Sequence, residues 1–264
     1  MGKYNREGIR SLLNDGARYM HTRSTQYISW KTNHVGETDA DVRKMIYINP
    51  LEIQNASGEK IIYRDVGRHL EQIDRPDSFK FATMGDVLAG EWDRNLVPFE
   101  HLTEYKSIKN RFEKCIPWKD TQLYSKSIER IGSGESVFGC DTEDELLNRF
   151  EYIDELYCDI RDQGYVRNNV HDDGYKTNWE GDRKLDEVTI DIGRDGELLY
   201  YTNGRHRLSI AKILGIDKIP VLVRVRHEGW QHIRNKIKSS KKHENTINHP
   251  DLNDIVNESK TNEE

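Results

Sequence analysis

The stretch "LDEVTIDIGRDGELLYYTNGRHRLSIAKILGIDKIPVLVRVRH", residues 185–227, constrains the fold more than any other part of the chain. Val188, Ile190 and Ile192 alternate with polar neighbours, the turn Gly193-Arg194-Asp195-Gly196 follows, and a second apolar run reaches Tyr201. This pattern predicts a β-hairpin. The chain then turns on Asn203-Gly204, enters a short apolar helix through Arg205, His206 and Arg207, and leaves it at Gly215 for a strand, "IPVLVRVRH". Strand, turn, strand, basic turn, helix, strand predicts an α/β (α+β) fold.

The basic turn is electrostatically costly as it stands. Cations in the first turn of a helix oppose the macrodipole by a few tenths of a kcal/mol, about 0.3 or more each. A bound anion reverses that sign, because a helix start offers backbone N–H groups, glycine permits close approach, and arginine forks grip phosphate oxygens in pairs. The competing reading is that both arginines reach back to carboxylates such as Glu187 or Asp191.

Asn203, Gly204, Arg205, His206, Arg207 and Leu208, followed by Ala211, Leu214-Gly215 and Ile219-Pro220-Val221, resemble the signature of the ParB/sulfiredoxin superfamily. The resemblance spans residues 186–226, with a fainter match over 84–113. It implies a mixed-sheet core whose glycine-basic turn grips nucleotide phosphates: CTP in ParB partition proteins, ATP in sulfiredoxin, ADP in a free serine kinase. On that basis Asn203, Gly204, Arg205, His206 and Arg207 are phosphate- or nucleotide-binding candidates, and His206 is also a catalytic one. Arg205 stands where sulfiredoxin carries its catalytic cysteine, so sulfiredoxin chemistry is not expected. The Asn-Gly-x-His-Arg form is closer to the serine kinase than to ParB. A partition protein would continue into a helix-turn-helix, whereas residues 230–243 read as a basic helical stub followed by a polar tail.

Composition gives no global pull toward polyanions. The 264 residues carry a formal charge of −6, so an anion site must be local and DNA is the less favoured partner. Three cysteines, Cys115, Cys140 and Cys158, fit neither a disulfide framework nor a zinc motif. With no apolar signal core and no membrane-length apolar run, the sequence reads as cytoplasmic, without a membrane partner. It does not specify the oligomer.

Elsewhere, residues 5–20 have helical apolar spacing and residues 24–42 read as a polar arm, giving an N-terminal helix and arm over 1–42. "RKMIYINPLEI" and "EKIIYRDV" read as two strands able to form a hairpin, within a first part of the core over 43–97. Helices are expected from Pro98 to Pro117, from about Thr121 to Ile131, and from Thr142 to Gly164; in the last, Thr142 and Glu145 form a capping box. These make a helical insertion over 98–164, with the core resuming over 165–238 and a disordered tail over 239–264.

Phosphoryl transfer also needs a base and usually Mg²⁺. "GDVLAGEWDRN" offers Glu91 and Asp93, and Glu91 loosely matches the serine kinase's glutamate base. The bland alternative is that both merely serve a surface turn. Trp92 reads as a packed aromatic. Arg226 and His227 could join the phosphate turn if they emerge at its end of the sheet. Glu91 or Asp93 would serve as that base or as a Mg²⁺ ligand, and His171, Asp172 and Asp173 read as a solvated loop, with a divalent-ion or substrate-selecting site as the lesser alternative. The expectation is a nucleotide-dependent kinase or nucleotide hydrolase using ATP, ADP or CTP with Mg²⁺ and an unnamed phosphate acceptor. The alternative is a DNA-associated nuclease or regulator whose basic stub, Arg224 to Lys242, lies on phosphate backbones.

Overall fold

A computed structural model describes residues 27–28, 31–42, 45–57, 82–94, 96–167, 187–201, 203–240 and 247–256. The expected N-terminal helix, the second strand "EKIIYRDV" and the His171 loop lie outside these residues.

An eight-stranded mixed sheet organises the molecule. Its strands are β1 (His34–Glu37), β2 (Ile46–Ile48), β3 (Asn55–Ala56), β4 (Asp86–Leu88), β5 (Val97–Pro98), β6 (Val188–Ile192), β7 (Leu198–Tyr200) and β8 (Ile219–His227). They run in the order β1-β4-β8-β6-β7-β3-β5, with β2 also paired to β8. β6 and β7 form the antiparallel hairpin expected around Gly193-Arg194-Asp195-Gly196. β8 returns parallel to β6, so the intervening helix crosses over one face. β2 pairs antiparallel with β8. The polar arm contributes a strand too, since β1 pairs with β4.

All nine residues of β8 are buried, as a central strand covered on both faces requires. Between Ile190↔Val223 and Ile192↔Arg226, two β8 residues oppose Asp191 alone. This bulge keeps Arg224 and Val225 on one face and turns Arg226 to the other. Arg224 therefore reaches Asp191 at 2.8 Å, while Arg226 reaches Asp251.

The helices are α1 (Thr103–Glu113), α2 (Gln122–Gly132), α3 (Glu143–Gln163), α4 (Arg205–Ile213) and α5 (Glu228–Ser239). α1 starts five residues later than expected: Pro98 belongs to β5, and Phe99–His101 forms a 3-10 turn whose Phe99 is buried. The capping box of α3 forms as read, Thr142 accepting from Glu145 N–H while Glu145 reaches back to the Thr142 backbone. α4 is sandwiched. Leu208 and Ala211 join the sheet core with Val188, Ile190, Tyr200 and Val221, while Ile210 joins a second core with Ile108, Trp118, Leu146, Phe150 and Ile153 from the helical region. Helices α1 and α3 thus pack on the helix that the basic turn begins, and α2 packs against both of them.

The C-terminal stretch corrects the expectation of a disordered tail over 239–264. Residues 247–256 lie on the core, with Leu252 and Ile255 buried and Asp251 held by Arg226, Trp230 and Arg234. A few apolar anchors and one multiply bonded carboxylate outweigh the polar average of the segment. The three cysteines are free thiols, of which Cys140 is buried. No helix among the described residues is long and apolar enough to cross a membrane.

Candidate functional site

Gly204 is in the left-handed conformation at φ 71°, capping α4 without any side-chain hydrogen bond. A Cβ there would meet the Val188 backbone at 2.9 Å, so only glycine fits the turn. The first N–H groups of a helix have no partner within it, and Gly204 supplies no side chain to cap those of α4.

Three cations gather at that end. Arg207, buried on the first turn, donates from Nη1 to Glu187 Oε2 at 2.9 Å and from Nη2 to the Val166 carbonyl, with its guanidinium 4.3 Å from the Tyr165 ring centroid. Arg205 pairs with Glu104, the second residue of α1. Arg149 of α3, which packs against α4, is a third cation whose charge opposes protonation of His206. The reading that both arginines reach back to carboxylates holds, Arg207 to Glu187 and Arg205 to Glu104. Asp191, the other carboxylate considered, is taken by Arg224.

His206 meets Phe138 edge-on at 5.4 Å between ring centroids. Burial, reinforced by Arg149 and Arg205, pushes its pKa down to about 3. At neutral pH the ring is therefore uncharged and can contribute a hydrogen bond, not a charge, to any anion at the turn. Asn203, exposed, sits just before the glycine, and its carbonyl accepts from Thr189 N–H at 3.4 Å.

Glu91, Asp93 and Arg226 do not join this group. The turn after β7 lies at the beginning of β6, against Val188. β4 runs parallel to β8 with Leu88 opposite His227, so the loop carrying Glu91 and Asp93 emerges beyond the far end. At about 3.3 Å per residue the two ends of the sheet stand roughly 20 Å apart. There Asp93 accepts a fork from Arg194 at 2.6 to 3.1 Å, and Glu91, exposed, joins the same guanidinium. Burial alone would raise the Asp93 pKa, but the Arg194 hydrogen bonds overcome it and hold the carboxyl below its usual range. These two acids fasten the β6–β7 hairpin to the β4–β5 loop. Trp92 is packed as expected, 3% exposed with its Nε1 toward the Leu88 carbonyl. Arg226 is buried against Asp251, and His227 bridges the Gly90 carbonyl and the Gly229 N–H.

The basic stub is likewise engaged. Arg224 pairs with Asp191, Arg226 with Asp251, Arg234 with Asp39 and Asp254, and Lys238 with Asp39. Among the described residues no group of three or more His, Cys, Asp or Glu side chains could hold a metal ion.

Glu104 and Arg149 are site residues that the sequence reading missed. Glu104 Oε1 accepts from Arg205, while its Oε2 is buried with no hydrogen-bond partner among the described residues. The start of α4 thus brings together a glycine that a side chain would obstruct, arginines and a carboxylate oxygen without a hydrogen-bond partner among the described residues. No family model, curated protein or solved structure matches the chain.

Proposed function

We propose that the chain is a nucleotide-binding protein of the ParB/sulfiredoxin-like kind, whose Asn203–Arg207 turn receives the phosphates. The observation that carries this reading is the start of α4 on a left-handed Gly204 that supplies no side-chain cap, with arginines gathered at it. Glu104 and Glu187 already face two of these arginines, and a phosphate would add a partner for the N–H groups, the dipole and the guanidinium forks together.

The residues divide the work by what each can supply. Gly204 admits the phosphate to the backbone. Arg205 and Arg207 are pre-oriented by Glu104 and Glu187, which lowers the conformational cost of gripping an anion. His206, neutral, offers a ring N–H. Phosphoryl transfer or nucleotide hydrolysis is the activity this set favours, Mg²⁺ supplying charge neutralisation when bound. Glu91 and Asp93 have no part in it, being at the opposite end of the sheet. Against the DNA reading, four cations of the basic stub are already paired with carboxylates.

Thermal melting with ATP, ADP, CTP or GTP, with and without Mg²⁺, tests the reading. A shift of a few degrees for one nucleotide, reduced in Arg205→Gln relative to that variant's own unliganded melting point, is the expected result. No shift with any of the four would remove it. A salt titration with duplex DNA checks the rival, because a DNA binder loses affinity steeply between about 50 and 200 mM salt.

A further inference from the structure

Glu104 is 4% exposed, and one of its carboxylate oxygens is buried without a partner among the described residues. An unmet buried acceptor is destabilising, the more so when charged. Native structures keep such a group where a ligand completes it. The other oxygen is held by Arg205 on the first turn of α4, which fixes the carboxylate beside the start of that helix. α1, which carries Glu104, packs along α4, so the placement is set by the core and not by a loop.

An anion drawn to the start of α4 brings phosphate oxygens toward Glu104 Oε2. Both are acceptors, and two acceptors in a poorly solvated site repel unless a cation lies between them. Arg205 gives its Nη1 to Oε1 and no hydrogen bond to Oε2. Mg²⁺ takes oxygen ligands and is commonly bound by one or two carboxylates together with substrate phosphates. We propose that Glu104 is the protein ligand of the divalent cation that accompanies a nucleotide's phosphates at the Asn203–Arg207 turn. This rests on the nucleotide reading above and assigns the cation's protein ligand within it.

Isothermal calorimetry of the full chain provides the test, with ATP, ADP and CTP each titrated in EDTA and in Mg²⁺, and Mn²⁺ titrated alone. In the wild type, Mg²⁺ tightens nucleotide binding at least about tenfold, whereas Mn²⁺ alone binds weakly, because a single carboxylate holds it. Glu104→Gln binds the metal-free nucleotide at least as well as the wild type, having lost a repelling charge, and gains less than about twofold from Mg²⁺. An undiminished Mg²⁺ gain in Glu104→Gln overturns the assignment and leaves nucleotide binding intact. If the wild type binds none of the three in either buffer, the nucleotide reading itself fails, and the role of Glu104 with it. Should Glu104→Gln not fold by circular dichroism, Glu104→Asp keeps the charge but withdraws it by one methylene. Its affinity in EDTA then matches the wild type with a reduced Mg²⁺ gain, and a full gain overturns the proposal.

Discussion

Arg207 and Glu187 form a buried ion pair at 2.9 Å, closed on one side by the Tyr165 ring and steadied by a 3.3 Å hydrogen bond from Tyr165 Oη to the same glutamate oxygen. Removing one partner of such a pair strands the other charge in a poorly solvated place, at a cost of about 3–5 kcal/mol. Glu187→Gln retains an acceptor, so the expected loss is near 3 kcal/mol, or roughly 6–12 °C in Tm for a chain of this size. Arg207 is then short of an anion. Added inorganic pyrophosphate raises the melting point of Glu187→Gln more than that of the wild type. Equal responses would mean that the arginine does not receive phosphate.

His206 sets a pH dependence whose sign follows from its depressed pKa. The unfolded chain takes up a proton near pH 6.5, whereas the folded ring does so only at about 3. Stability is therefore full above about 6.5 and falls as pH drops toward 3, by at most about 1.4 kcal/mol per pH unit for this one site. His249, lowered chiefly by burial, works in the same direction. Urea denaturation of His206→Gln between pH 7 and pH 4 gives a shallower loss than the wild type. Nucleotide affinity, by contrast, shows no His206-dependent titration near pH 6.5, because the ring is neutral on both sides of it.

Glu91 and Asp93 separate a structural role from a catalytic one. Asp93 is 5% exposed and holds Arg194 by its side chain and its backbone N–H, the latter at 2.8 Å. Asp93→Asn is expected to cost about 2–4 kcal/mol by urea denaturation, toward the range for breaking a buried pair. Glu91→Gln, at an exposed position, changes stability by less than about 0.5 kcal/mol. Neither variant alters the nucleotide-induced melting shift beyond the change in baseline. Loss of that shift in Glu91→Gln would restore the acid to the site.

Local features were legible in the sequence because local chemistry determines them. The hairpin, the glycine turn into α4 and the Thr142–Glu145 box each depend on residues within a few positions of one another. The register of distant strands is not written that way. The parallel pairing of β4 with β8 sends Glu91 and Asp93 to the end away from Gly204, and the bulge opposite Asp191 turns Arg226 from one face to the other. Neither follows from any single stretch. Glu104 escaped notice for the same reason: it lies 101 residues before Arg205, and its value depends on how α1 packs against α4. The assumption that carried over least well was that a polar tail has no fixed place, since Leu252, Ile255 and Asp251 sufficed to give it one.

That C-terminal segment supports the last prediction. Asp251 accepts from Arg226 Nε at 3.0 Å and from Trp230 Nε1 at 2.9 Å, and it lies 3.5 Å from Arg234, which is fully buried and also engages Asp39 and Asp254. Burial alone would raise the pKa values of Asp39 and Asp254. Hydrogen bonds from Lys238, Gln231 and Arg234 to Asp39, and from Arg234 to Asp254, overcome it and hold both well below the usual carboxylate range. Depressed carboxylate pKa values contribute stability that is present above about pH 4 and lost as pH falls through the folded values. A chain ending at residue 246 removes Asp251, Asp254 and two apolar anchors, and leaves Arg226 and Arg234 buried with fewer partners. The expected loss exceeds about 4 kcal/mol. Asp251→Asn, which keeps the shape and removes the charge, loses about 3 kcal/mol, and its low-pH unfolding limb moves toward neutral pH. Urea and acid titrations followed by tryptophan fluorescence read both effects, with Trp230 at the centre of the network. A truncated chain as stable as the full one would show that the segment rests on the core without supporting it.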